Sequence, residues 1–427
     1  MNTDEVLMYL LDEDFQEDEC RQRMMEQVAT EVAAEVKPNK KRRVEINRRR
    51  LEGNARLLQD YFVENPTHGA EKFRARFRMS KETFFLVLEE VKKQDDYFSQ
   101  KMDAAKRMGL SSNQKVTTAL RMLDYGCSAD QLDENLRIGE STSLKCLRRF
   151  CKAVIARFGE IYLRAPNQDD VDRLLVENGN RGFSGMLGSL DCMHWEWKNC
   201  PSAWHVQFKG KEKKPSIILE AVASYDLWIW YAFFGLPGTL NDINVLDRSH
   251  LLQDLTSGTA PAVNFTVNGN TYDMGYYLTD GIYPDYATFV KAPRSVVSMT
   301  PKQKLFTKAQ ESTRKDVERA FGVLQQRFHI VAGPARMWDL GVLHDIMTTC
   351  IILHNLIVER QRQGSNEDIE EGRGEARVPL LPREEMSGSF DTFLSRTMKI
   401  VDRAVHHQLN HDLMEHLWNR SGDSLEE

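Results

Sequence analysis

Three short apolar runs in this chain each lead into an aspartate, and a helical segment after them carries a glutamate. Residues 185–190 are followed at once by Asp191. Residues 228–236 lead through a Pro237-Gly238 turn to Asp242, and residues 276–279 run into Asp280, which precedes Gly281. Glu318 lies within a helical pattern over 310–328, with Val317, Phe321 and Leu324 on one side. The four acids are 51, 38 and 38 residues apart. Packing alone seldom ends an apolar strand on a carboxylate, and a rigid strand end is a good mount for a ligand side chain.

Each acid taken singly has a structural alternative. Asp242 can cap a helix, Asp280 can sit in a turn, and Glu318 can pair with Arg314 at i, i+4. Asp191 is the hardest to explain by packing. The order strand-end Asp, post-strand Asp, strand-end Asp, helix Glu is what points to chemistry. Cutting a phosphodiester needs a nucleophilic water and charge stabilised on the attacking and leaving oxygens. Two Mg²⁺ or Mn²⁺ ions roughly 3.5–4 Å apart do both. Hard ions take oxygen ligands, so carboxylates suit them.

The rest of the chain frames this region. Residues 1–36 hold eleven acidic and two basic residues, and 37–50 hold eight basic and one acidic. Residues 1–50 therefore read as an acidic, then basic, disordered tail. Lys40, Lys41, Arg42 and Arg43 are a nuclear-import or DNA-contact cluster, or else a solvated face. Residues 51–165 read as a helical domain. Within it, Val116, Leu120 and Leu123 make one helix face closed by Gly126. Ser128 and Gln131 form a capping-box pattern for a short second helix, and 140–158 form a third. That third helix has Leu144, Leu147, Cys151 and Ile155 on one side and Lys145, Arg148, Arg149 and Lys152 on the other. This is a helix-turn-helix arrangement with a basic face suited to DNA, or a plain three-helix bundle. Residues 167–180 read as a polar connection, and 181–360 as the α/β nuclease domain. An apolar helix over 343–358, a linker over 361–388 and a last helix over 389–420 complete the chain.

Net charge is −6, so DNA affinity must be local. The seven cysteines include no CxxC pair, which suits a reducing compartment. No apolar signal region opens the chain, and the aromatic-rich run near 226–236 is too short for a bilayer. A soluble, intracellular protein without a membrane partner is expected. Cys192, His194 and Cys200 lack a second zinc pair, and His406, His407 and His411 are as readily a polar helix face. Trp195 and Trp197 could stack on bases or pack in the core. Lys291, Arg294, Lys302, Lys304 and Lys308, with Arg314, Lys315 and Arg319, could hold phosphates near Glu318.

Gly188-Ser-Leu-Asp-Cys-Met-His-Trp, Pro237-Gly-Thr-Leu-Asn-Asp-Ile-Asn-Val-Leu, Asp280-Gly-Ile-Tyr-Pro and Arg314-Lys-Asp-Val-Glu-Arg-Ala-Phe-Gly resemble the PIF/Harbinger transposases and their host-derived relatives, most of all the plant versions. The resemblance covers roughly residues 40–360. It implies a DDE-superfamily endonuclease with an RNase H-like mixed sheet flanked by helices, after an all-α domain with the helix-turn-helix. It also implies a divalent cation, a nuclear location, DNA cleavage or strand transfer, and a separate Myb-like partner; self-association is left open. In such a sheet three antiparallel strands come first and the second acid ends the fourth strand. Asp191, Asp280 and Glu318 are then the catalytic set, and Asp242 is a further metal ligand or a helix cap. The alternative is a domesticated, non-cleaving nuclear protein that binds chromatin or a partner.

Overall fold

The computed structural model describes residues 46–210, 212–293, 299–365 and 390–423. The acidic segment 1–36, the cluster Lys40–Arg43, Arg294 and most of the 361–388 linker lie outside them. Six helices come first: α1 (Arg50–Tyr61), α2 (Ala70–Phe77), α3 (Lys81–Gln94), α4 (Ser112–Tyr125), α5 (Gln131–Leu136) and α6 (Glu140–Tyr162). Two of them start on side-chain caps. Ser80 caps α3 by accepting from Thr83 N, and Ser111 with Gln114 makes a capping box on α4. Gly126 ends α4 at φ 59°, a left-handed conformation that favours glycine, and a Cβ there would crowd His329 O at 3.1 Å. At α5 the expected capping box is half made: Ser128 N–H donates to Gln131 Oε1 at 3.2 Å, and Asp130, not Ser128, is the cap residue. Helix α6 runs on to Tyr162, past the expected 158.

The polar stretch expected to be a connection is instead helix α7 (Gln168–Asn180). Asn167 and Asp170 form its capping box, and only Val171, Leu174 and Asn178 turn inward. Two apolar contacts in thirteen residues leave little periodicity to read.

The main sheet has the order β3-β2-β1-β6-β7. Its strands are β1 (Met186–Glu196), β2 (Ser216–Ala223), β3 (Ile229–Pro237), β6 (Tyr276–Leu278) and β7 (Phe289–Val290). The first three pair antiparallel, whereas β1–β6 and β6–β7 are parallel. This mixed sheet, flanked by helices, is that of an RNase H-like fold. A small hairpin, β4 (Phe265–Val267) with β5 (Asn270–Tyr272), stands apart from it, and two short helices, α8 (Asp242–Leu246) and α9 (Gln253–Ser257), precede it.

Helix α10 (Pro301–Arg327) is longer than its apolar pattern suggested, because Thr300 and Gln303 cap it and Pro301 opens it. It crosses one sheet face, where Ser189 Oγ donates to Thr313 O at 3.2 Å. After the short α11 (His329–Ala332) comes the long, strongly apolar helix α12 (Leu340–Ser365). Its stretch Leu340–Arg362 is long and apolar enough to cross a membrane, but most of it is buried in the fold. It packs against α6, so Phe150, Val154 and Phe158 share one core with Ile217, Leu219, Ile351 and Leu353. The expected last helix is two, α13 (Phe390–Ile400) and α14 (Arg403–Asp423). Asp402 starts the second by accepting from Ala404 N at 2.8 Å and Val405 N at 3.2 Å. Leu409 and Leu413 of α14 pack on Phe183, Tyr276, Leu278 and Phe306.

Asn355 on α12 ties three elements together. Its Nδ2 donates to Tyr162 O at 2.7 Å and Ile229 O at 2.8 Å, and its Oδ1 accepts from Ile229 N at 3.0 Å. The side chain is fully buried. Asn355→Leu strands those three backbone groups and is expected to cost roughly 3 kcal/mol or more; urea unfolding of both proteins measures it, and a loss below about 1 kcal/mol contradicts the tie.

Candidate active site

Asp191 does not end its strand. Strand β1 continues five residues beyond it, with Asp191 opposite Ala221 of β2. Its side chain lies on the α10 side and is one-fifth exposed. Cys192 N–H donates to its Oδ1 at 2.8 Å, and Arg314 Nη1 donates to its Oδ2 at 3.0 Å. Burial raises the Asp191 pKa above the usual carboxylate range. The Cys192 amide and Arg314 oppose that rise, and the charges of Asp242 and Asp280 add to it. The two other aspartates are therefore near enough for their charges to act on Asp191.

Asp280 stands two residues past Leu278 on β6, and Leu278 is the register partner of Ser189, two residues before Asp191. The parallel pairing thus carries both acids toward the same level of the sheet. Asp280 Oδ1 accepts from Ile282 N at 2.9 Å, which fixes its turn. Glu318 comes from α10, where Arg314 Nη2 meets its Oε1 at 2.8 Å. One guanidinium therefore bridges Asp191 and Glu318. Asp242 is the first residue of α8, and the cap is its neighbour Asn241, which accepts from Asn244 N at 2.9 Å. The helix-cap explanation of Asp242 is thereby removed.

An acid that sequence reasoning passed over stands nearby. Glu220 of β2 lies opposite Cys192 and is fully buried. Neither carboxylate oxygen has a hydrogen-bond partner among the described residues. Burial pushes its pKa up to about 7; the Ser249 hydroxyl, outside hydrogen-bonding geometry, eases the rise and the Asp242 charge adds to it. Burial and the charges of Asp242 and Glu220 likewise push the Cys192 thiol up. The available signal was Glu220 itself, the single acid within the apolar run 217–223.

The donor chemistry suits a hard divalent cation, since every candidate ligand is a carboxylate. Among the described residues, however, no three His, Cys, Asp or Glu side chains converge as a metal set. Arg314 holds two of the four candidate ligands. The weaker metal candidates have other partners: His194 Nδ1 meets Ser216 Oγ at 3.2 Å, Cys200 Sγ donates to Pro201 O at 3.6 Å, and His406 Nδ1 faces the carbonyls of Tyr286 and Phe289. Trp195 and Trp197 are core residues, donating to Gly333 O at 2.8 Å and Met337 O at 2.9 Å.

The basic candidates divide in the same way. Lys145, Arg148, Arg149 and Lys152 all lie on the exposed face of α6. Arg149 is committed to Asp95, with two contacts of 2.6 Å. Lys302 pairs with Glu415 at 2.6 Å, and Arg319 with Asp316 at 2.6 Å. Lys291 is buried against Asp285 and Tyr283 O.

Comparison with known proteins places these features. The family model described as plant transposon protein matches residues 160–365, which hold all four acids and the whole mixed sheet. This match and the relatives below support a Harbinger/PIF-derived, transposase-like protein of the DDE superfamily. Residues 53–92 match a domain of unknown function. Protein ALP1-like of Arabidopsis thaliana is 25% identical over 338 residues, 78% of each chain. The Arabidopsis protein named antagonist of like heterochromatin protein 1 is 22% identical over 291 residues, 67% of this chain and 73% of that one. No solved structure matches. The transposase-like chain is thus nuclease-like in fold.

Glu220 supplies a pH test. Its folded pKa of about 7 lies above the ordinary value of 4.5, so the native state holds the proton more tightly than the unfolded chain. Stability then falls as pH rises from about 4.5 to 7, by roughly 3 kcal/mol in full. Glu220→Gln is expected to flatten that slope and to melt above wild type at pH 8. Equal pH slopes in thermal unfolding contradict the assignment.

Proposed function

We propose that this chain is a metal-dependent DNA nuclease of the transposase type, acting by phosphodiester hydrolysis or strand transfer. The observation that carries the reading is the placement of Asp191 on β1, Asp280 past the parallel β6, and Glu318 on the helix that crosses β1. Asp191, Asp280 and Glu318 would hold Mg²⁺ or Mn²⁺, with Asp242 completing the set. Bound there, the cations would neutralise charge on the attacking and leaving oxygens.

The protein's own residues supply the mount. Strand β1 fixes Asp191, whose Oδ1 is already turned to the Cys192 amide. Without a counter-cation, four acids in one region repel a polyanion, so Arg314 and the lysines of α10 are needed at the approach. The helices of 51–165 would read DNA through Lys145, Arg148 and Lys152, and 181–360 would cut it. A nuclear location through Lys40–Arg43 and a Myb-like partner belong to the same reading.

A second reading has its own support. Arg314 spans Asp191 and Glu318, and one relative is named for antagonism of a heterochromatin protein. The chain would then be a domesticated nuclear protein that keeps the fold to bind chromatin or a partner.

Two measurements separate them. Full-length protein, with a Myb-like partner, is incubated with terminal-repeat DNA and Mn²⁺. Wild type is expected to nick or join the DNA, and Asp191→Asn to lose at least a hundredfold in rate, about 2.7 kcal/mol. Equal behaviour of the two proteins removes the nuclease reading. Calorimetric titration with Mn²⁺ tests the ligands without turnover. Arg314→Gln frees Asp191 and Glu318 from an internal competitor and is expected to bind Mn²⁺ about tenfold more tightly, worth about 1.4 kcal/mol. Weaker or undetectable Mn²⁺ binding in this variant favours the non-cleaving protein.

A further inference from the structure

Helix α10 carries more cations than the fold uses. Lys302 pairs with Glu415, Arg314 with Asp191 and Glu318, and Arg319 with Asp316. Lys304, Lys308 and Lys315 are exposed, and none forms an ion pair among the described residues. Glu311 stands at i+3 from Lys308 and i−4 from Lys315, yet the structure joins it to neither. Lys304 and Lys308 are like charges at i, i+4, which weakens the helix instead of supporting it.

Their placement is directional. With 3.6 residues per turn, the three lysines project within about 40° of one another. The same side of α10 reaches Glu318 one turn beyond Lys315. The three line a groove of about 440 Å³ together with Met299, Thr307, Ser312 and one acid, Glu311, so the lysines outnumber the carboxylate three to one there. At a rise of about 1.5 Å per residue, Lys304 to Lys315 covers about 16 Å. One strand of B-DNA carries about five phosphates over that length.

We propose that Lys304, Lys308 and Lys315 form a track that grips the phosphate backbone of DNA and leads it to Glu318. The proposal rests on the nuclease reading for its substrate class. An acidic peptide matches the charge, but it gives no reason for the line to end at the carboxylates. Lysine suits a backbone whose sequence is not being read, because an ammonium contacts phosphate without fixing an orientation.

The test uses full-length protein, duplexes of several sequences, and fluorescence anisotropy between 50 and 200 mM salt without divalent metal. Each neutralised phosphate contributes about 0.9 to the slope of log affinity against log salt. Lys304→Gln with Lys308→Gln and Lys315→Gln is expected to lower the slope by about 3, equally for every sequence. Across that salt range wild type then loses about 40-fold more affinity than the triple variant. Each single substitution is expected to lower the slope by about 1, which decides the matter should the triple variant fold poorly. Replacing all three by Arg is expected to restore it. Wild-type slope in the single and triple Gln variants overturns the track, as does a wild type that binds an acidic peptide but not DNA. Asp191→Asn should keep the full slope; a wild type that binds DNA with this slope yet does not cut or join it with Mn²⁺ removes the nuclease reading and leaves the track standing.

Discussion

Strand β1 is the constraint on which the rest of the molecule turns. It is hydrogen-bonded to β2 on one side and to β6 on the other, and α10 lies across it. A strand held this way cannot slip by one residue without sending Ser189, Asp191, Met193 and Trp195 to the opposite face. That alternation decides which side of the sheet receives the acid. It places Asp191 toward α10 and Cys192 toward Glu220 and Tyr283. A carboxylate on so central a strand is costly to bury, and its raised pKa records the cost. Arg314 offsets part of it by meeting Asp191 and Glu318 at once.

The parts of this arrangement that could be read from the sequence are those set by local pattern. The three antiparallel strands, the strand before Asp280, the Gly126 cap and the apolar core helix each carry a period or a terminator within a few residues. The apolar run 185–190 stops at the charged Asp191, which is why the sequence reads as a strand ending there, before Cys192, Met193 and His194. In the sheet they continue β1, since β2 supplies their backbone partners whatever their polarity. Helix α7 was missed for the opposite reason, as a polar helix that shows only two apolar side chains to the core.

Tertiary choices account for the remainder. Nothing local distinguishes Arg149, locked to Asp95 fifty-four residues away, from Arg148 beside it. Lys302 and Lys304 likewise differ only in that Glu415 of the distant α14 reaches one and not the other. The bridge from Arg314 to Asp191 crosses 123 residues, while its contact with Glu318 is a helix turn that the i, i+4 spacing already suggested. Glu220 sits between these cases. Its isolation among apolar neighbours was visible, but the absence of a partner appears only when β2 is buried on both faces.

A net charge of −6 then ceases to conflict with a DNA-directed role. Several arginines are committed to ion pairs, where a planar guanidinium can hold two groups in fixed geometry. Arg149 holds Asp95, Arg173 and Arg362 converge on Asp226, Arg181 and Arg319 share Asp316, and Arg314 spans two candidate ligands. Those pairs neutralise acids locally and contribute little field at a distance. Lysines on α10 are left over in a line, on a flexible stem that follows a phosphate without demanding a fixed partner. What reaches an approaching polyanion is therefore the leftover lysine charge rather than the formal total. On α10 the contrast between the paired Arg314 and Arg319 and the open Lys304, Lys308 and Lys315 is what would let an acidic chain keep a basic path to its carboxylates.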